Sequence, residues 1–215
     1  MVNGREDYKL YDMKNILFTM LLFLSSLSFA QEGFHLGVEV SPSWMLNTHR
    51  NTTTGLRSSE SGYGFNAGVP IKYFFNEYMG IESGVSFEYM AFDVRVNNAL
   101  QFSNRFGSVN FPLTILYQVS GNWYTHAGAG FKYQFMNKSW SGFSVDIGPS
   151  VNKIQPYVAL GVSTLIERDK GLFELGAMAR YHFINLWAAG SPQGAAGTSK
   201  VVSFDLMLKF FLFNS

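Results

Sequence analysis

The chain contains no cysteine, which excludes disulfides, thiolate catalysis and cysteine-bound zinc. Charge is scarce. Charged residues make up 14% of the 215 positions, against roughly 25% in an average soluble domain. The formal net charge of +1 lacks the basic excess that nucleic-acid binders carry on one face, so no nucleic-acid partner is expected. The apolar run from Ile16 to Leu27 falls short of the ~20 residues of a spanning helix. A mean hydropathy of +0.04 is far too low for a bundle of such helices, and no segment shows a convincing helical period.

What the chain does have is aromatic residues, at 17%, and a period of two. In Tyr63, Phe65, Ala67, Val69, Ile71, Tyr73 and Phe75, every second residue is apolar, with Gly64, Asn66, Gly68, Pro70, Lys72 and Phe74 between them. Similar alternation marks 33–46, 79–89, 105–119, 123–135, 154–166, 172–185 and 202–212. Each segment reaches the ~9–11 residues of a tilted membrane-crossing strand.

Four long polar stretches, 47–62, 93–104, 137–153 and 186–200, alternate with short turns at 76–78, 120–122 and 167–171. Long loops at one end and tight turns at the other mark an outer-membrane barrel. The expectation is an all-β, eight-stranded, antiparallel, up-and-down transmembrane barrel. An even strand number places both termini at the turn end, in the periplasm. Glycine, amide and charge share one phase, which suits a narrow lumen better than a solvated face. Aromatic girdles are expected at Trp44, Tyr63, Tyr89, Phe92, Phe135, Trp140, Phe183 and Trp187 on the loop side. Tyr73, Phe75, Tyr78, Trp123 and Phe210 form the turn-side set.

Met13-Lys14-Asn15, the apolar run and Ser28-Phe29-Ala30 have the three parts of a secretory signal peptide, with cleavage expected after Ala30. Residues 1–12 carry cancelling charges, so Met13 is the expected start and 1–12 an upstream artefact. The barrel domain is then 31–215.

The chain resembles small outer-membrane β-barrel domains of Gram-negative bacteria, of the PorT-like type. The resemblance rests on Phe34-His35-Leu36-Gly37-Val38 and on Gly80-Ile81-Glu82-Ser83-Gly84-Val85-Ser86-Phe87. It also rests on Gly128-Ala129-Gly130-Phe131-Lys132-Tyr133 and Tyr157-Val158-Ala159-Leu160-Gly161-Val162. It spans 31–215 and implies fold and location; it implies little chemistry. Such families end on an aromatic, whereas here Asn214-Ser215 follow Phe213.

The inward phase holds Glu39, Glu82, Glu88, Glu174 and Asp205 against Lys72, Lys132, Arg180 and Lys209. Eight strands enclose just enough room for side chains, and buried charges must be paired. A lumenal salt-bridge network that plugs the barrel is therefore expected. His35, His126 and His182 share this phase without the spacing of a metal or catalytic set, so neither a metal nor a cofactor is assigned.

Three roles remain. A structural, adhesive or accessory envelope protein would use the loops 47–62, 93–104, 137–153 and 186–200 to meet an envelope or extracellular protein partner. A lipid-modifying enzyme would need a Ser/His/acid set. Here His182-Phe183-Ile184-Asn185 has isoleucine where a lipid A deacylase would carry serine, and His49 lies near Ser58, Ser59 and Glu60. A secreted soluble barrel holding an apolar ligand would need its aromatic face inward. The first of these is the expectation, without catalysis and with outer-membrane lipid as the surrounding partner.

Overall fold

The computed structural model describes residues 33–212 apart from 52–56, 97–98, 141–143, 147–150, 169–170 and 187–196. The expected leader 13–30 and the upstream residues 1–12 lie outside the described residues, as do the centres of the four polar stretches.

The described chain folds into nine strands: β1 (Phe34–Asn51), β2 (Arg57–Phe74), β3 (Met79–Val96), β4 (Ala99–Ser120), β5 (Trp123–Trp140), β6 (Ser144–Asp146), β7 (Ile154–Arg168), β8 (Gly171–His182) and β9 (Gly197–Leu212). All pairings are antiparallel. The order runs β4-β3-β2-β1-β9-β8-β7-β5, and β4 also pairs with β5, which closes the ring. The short β6 only flanks the loop end of β5. The molecule is thus a closed eight-stranded barrel. The seam joins first and last strands, from Leu36 opposite Leu212 to Asn51 opposite Gly197.

Alternation sets which way each side chain points. The apolar phase faces out, as in Val38, Leu113, Leu160 and Leu206, each close to half exposed or more. The other phase faces in and is buried. An outward apolar wall around the whole barrel needs lipid as its solvent. It also rules out the soluble barrel with an apolar interior, because the aromatic face is on the wrong side.

Turn chemistry defines the short end. Between β2 and β3, the Asn76 side-chain oxygen accepts the backbone N–H groups of Tyr78 and Met79, both at 2.9 Å, the Asx geometry that replaces a backbone turn. Between β4 and β5, Gly121 sits at φ +52°, in the left-handed region open to glycine. Short turns mark the periplasmic end of such barrels.

The other end departs from expectation. Most of the expected loop 47–62 is ladder, with β1 and β2 in register up to Arg50 opposite Arg57. The stretch 93–104 likewise continues β3 and β4 as far as Val96 opposite Ala99. In the first hairpin the alternation stops earlier because both faces of its extension are polar, over 47–51 and 57–61. Backbone pairing needs no such alternation, so the strands continue beyond it. Conversely, β8 ends at His182, short of the expected 185. A bulge opposite Gly107–Ser108 skips Phe135. It shifts the inward phase of β5 from Gln134 to Asn137, both buried. Phe92 is also corrected. It is 1% exposed and meets Phe106 edge-on inside the barrel, so it is not part of the girdle. Trp140 and Trp187 have side chains outside the described set.

Candidate functional site

The interior is stacked in layers. Nearest the turns, Lys72 of β2 and Glu82 of β3 are neighbours in register, as are Glu174 of β8 and Lys209 of β9. The two pairs face each other across the lumen. The cross-lumen contacts, Lys72 Nζ to Glu174 Oε2 and Lys209 Nζ to Glu82 Oε1, are both 2.5 Å. They are shorter than the in-register contacts, at 3.3 Å for Lys72–Glu82 and 3.9 Å for Lys209–Glu174. Two ammoniums and two carboxylates therefore form a neutral ring. The Lys72 ammonium also lies 4.5 Å from the Phe211 ring centroid, a desolvated cation–π contact.

A second layer lies towards the loops. Arg180 donates from Nε and Nη2 to both oxygens of Asp205, each at 2.7 Å, the fork geometry of a bidentate pair. Its Nη2 also reaches Glu88 at 3.4 Å, and Lys132 Nζ lies 3.6 Å from the same carboxylate. Asn110 donates to Glu88 at 3.1 Å and the Ser43 hydroxyl to Asp205 at 2.6 Å. This layer is also neutral. The Arg180 guanidinium sits 5.5 Å from the Tyr157 ring. Gly130 makes room for that ring, since a Cβ there would lie 2.5 Å from the Tyr157 hydroxyl oxygen.

Between the layers is a cavity of about 40 Å³ bordered by Glu39, Asn110, Thr114, Arg180, Asp205 and Lys209, among others. It exceeds the ~10–15 Å³ that one water needs by this measure. The fifth acid, Glu39, opens on this cavity. It accepts a bond from Ser41 at 2.7 Å and is opposite Lys209 in register.

Both ends of this ionic core are covered by apolar layers. Leu116, Tyr124, Leu165, Leu172 and Phe211, with Phe74 against them, close the turn side. Met45, Met90, Phe92, Phe106, Val151, Leu186 and Val201 close the loop side. Beyond the turn-side layer a vestibule of about 590 Å³ opens between His35, Asn76, Glu77, Asn122 and Glu167. Sequence reasoning missed the two apolar layers. Their signal was present as bulky apolar residues on the polar phase, confined to strand ends.

The histidines do not form one site. His35 packs edge-on against Phe74, and His182 lies against Tyr157 at 5.4 Å between centroids. His126 Nε2 is 2.7 Å from the Ser163 hydroxyl and 3.1 Å from Glu174 Oε1. Serine, histidine and acid thus meet, yet both partners share one ring nitrogen. A triad needs the acid on the other nitrogen. Glu82, His126 and Glu174 bring ligand atoms within 4.8 Å of one another, the spacing a metal ion would need. Lys72 and Lys209 already neutralise those carboxylates, so a divalent ion would add two uncompensated charges. In the first hairpin His49 is in register with Ser58, but their side chains lie outside the described set.

A closed antiparallel barrel with a lipid-facing wall and a polar interior defines a transmembrane barrel of the bacterial outer membrane. The chain belongs to the outer membrane protein beta-barrel domain family, whose sequence profile matches residues 29–186. That grouping is broader than the PorT-like type. No curated protein matches the chain significantly. Among solved structures it is similar to Ail, the attachment invasion locus protein of Yersinia pestis. The identity is 16% and the TM-score 0.43, covering 85% of this chain and 100% of that one. Neisserial surface protein A is 14% identical, at TM-score 0.42, over 81% and 96% of the two chains. OprG of Pseudomonas aeruginosa is 11% identical, at TM-score 0.43, over 87% and 99%.

Proposed function

We propose that this protein is a closed, non-conducting outer-membrane barrel with a structural, adhesive or accessory role in the envelope. The reading includes delivery by the 13–30 leader and contact with an envelope or extracellular partner through the loop end. The observation that carries it is the layered interior, with two neutral ionic layers between two apolar ones. A permeating ion would have to cross dehydrated apolar side chains and break buried ion pairs, each unfavourable in a low-dielectric interior. Eight-stranded barrels lack room for an aqueous channel once their side chains are placed.

The hairpins β1–β2 and β3–β4 support a role at the cell surface. Their ladders continue past the girdle, which gives the tips a rigid base. Single-channel recording in planar bilayers tests the closed state, with no steady conductance expected. A stable ohmic level from the intact protein would overturn it. Shortening the first hairpin across 50–57 should leave the boiled-versus-unboiled gel shift intact while abolishing surface attachment or partner binding. Full retention of such activity would remove the loop end from the proposal.

A further inference from the structure

Charge on the loop-end exterior is sorted by sign. Among the described side chains there, five are basic: Arg50, Arg105, Lys138 and Lys153 are exposed, and Lys200 is half-buried. Arg105 lies between buried Asn104 and Phe106, and Lys200 between buried Ser199 and Val201, so both point outward. Among the residues at this level whose side chains are described, the one outward acid is Asp93, half-buried. Glu60 turns inward to accept a bond from Asn47 at 3.3 Å. Among the described residues none of the five bases is in an ion pair, and the Lys200 ammonium donates to the Phe183 carbonyl.

Their height places them at the membrane boundary. A strand rises ~3.3 Å per residue, and a tilt near 40° leaves about 2.5 Å of that along the axis. Arg105 stands twelve positions from Tyr117 on β4, and Lys200 twelve from Leu212 on β9. Both are thus about 30 Å above the turn-side girdle, just past an apolar band ~25 Å tall. The loop-side aromatics Trp44, Tyr63 and Phe135 are exposed beneath them.

Arg105 and Lys138 are direct cross-strand partners. Like charges in that relation repel unless an anion lies between them. Lys138 is also in register with Asp146, which leaves the row with one net positive charge.

We propose that this collar binds the phosphate groups of the phosphorylated glycolipid that forms the outer leaflet around the barrel. Arg105 and Lys138 bridge one phosphate, and Lys200 and Arg50 extend the contact around the seam. Basic side chains at headgroup level attract anionic lipid through this chemistry.

The test uses the protein folded into phosphatidylcholine nanodiscs, with lipopolysaccharide, its dephosphorylated form or inorganic phosphate added. The readouts are the unfolding temperature from the gel shift and the glycolipid phosphate retained per barrel. Phosphorylated glycolipid should raise the unfolding temperature by several degrees and stay bound. The R105Q/K138Q/K200Q variant should lose both effects while unfolding like the parent in pure phosphatidylcholine. R105K/K138R/K200R, with charge preserved, should retain them, and R105Q alone should lose part if the triple variant folds poorly. Equal stabilisation by the dephosphorylated form, or by lipopolysaccharide in a folded triple variant, would overturn the proposal. If inorganic phosphate alone reproduced the shift, the ligand would be a free anion and the lipid assignment would fall.

Discussion

In the turn-side ionic layer each charged group touches two opposite charges. In the loop-side layer the contacts run as a chain from Lys132 to Glu88, Arg180 and Asp205. Both layers hold two bases and two acids, so they are equal in formal charge. They differ in redundancy. A ring that loses one contact still joins its members by the other path, whereas a chain that loses an end link strands the terminal charge. The chain compensates with geometry, since its end link, Arg180 to Asp205, is a bidentate Arg–carboxylate pair backed by Ser43. Lysine, a point charge, suits the shared ring; arginine, a planar fork, suits the single strong link.

The strongest way to break this contrast is Arg180→Met. It isolates Asp205 and leaves Glu88 with Lys132 alone, and should cost about 3–5 kcal/mol. Urea unfolding in lipid vesicles, followed by gel shift, would measure it. Lys72→Met should cost less, about 2 kcal/mol, below the usual penalty for a broken buried pair. Glu82 then keeps Lys209 at 2.5 Å and Glu174 keeps His126 at 3.1 Å. Equal costs for the two changes would mean that ring and chain are not distinct.

Adding Glu174→Gln to Lys72→Met sharpens the comparison, because it restores neutrality. The double change should be milder than the sum of the singles by more than about 1 kcal/mol. The smallest effect is expected at Glu39, outside both layers' close contacts. Glu39→Gln keeps an acceptor for Ser41 and should change stability by less than about 0.5 kcal/mol. A larger loss would show that Glu39 belongs to the ring through Lys209.

The strand set and its phase were legible because one face meets lipid and the other the lumen, which writes a period of two into 63–75 or 202–212. The same logic placed all nine lumenal charges on one face. It could not say which would meet, since Lys72 and Glu174 are 102 positions apart and Lys209 and Glu82 are 127 apart. Those contacts depend on barrel shear and on side-chain reach across the lumen. The apolar layers were missed for a related reason. Phe74, Leu116 and Phe211 interrupt the polar phase one at a time on separate strands, and only closure gathers them. Strand ends beyond Trp44 were illegible because polar residues such as Asn47, Thr48, Ser59 and Glu60 occupy both phases, and beyond Tyr89 because Met90, Ala91 and Phe92 are apolar in both.

The seam between β1 and β9 also orders events in time. Its two edges come from opposite ends of the barrel sequence, so Glu39 cannot find Lys209, nor Ser43 find Asp205, until the last strand has been made and delivered. Before that moment two unsatisfied strand edges are open to other chains, and the cross-lumen ion pairs do not exist. Assembly must therefore end in one late zipping step, with the partly inserted chain shielded from its neighbours until then. Contacts of such long sequence separation make that step slow. A truncation that removes β9 should leave an aggregating chain, since a smaller barrel would have neither its seam nor its neutral core.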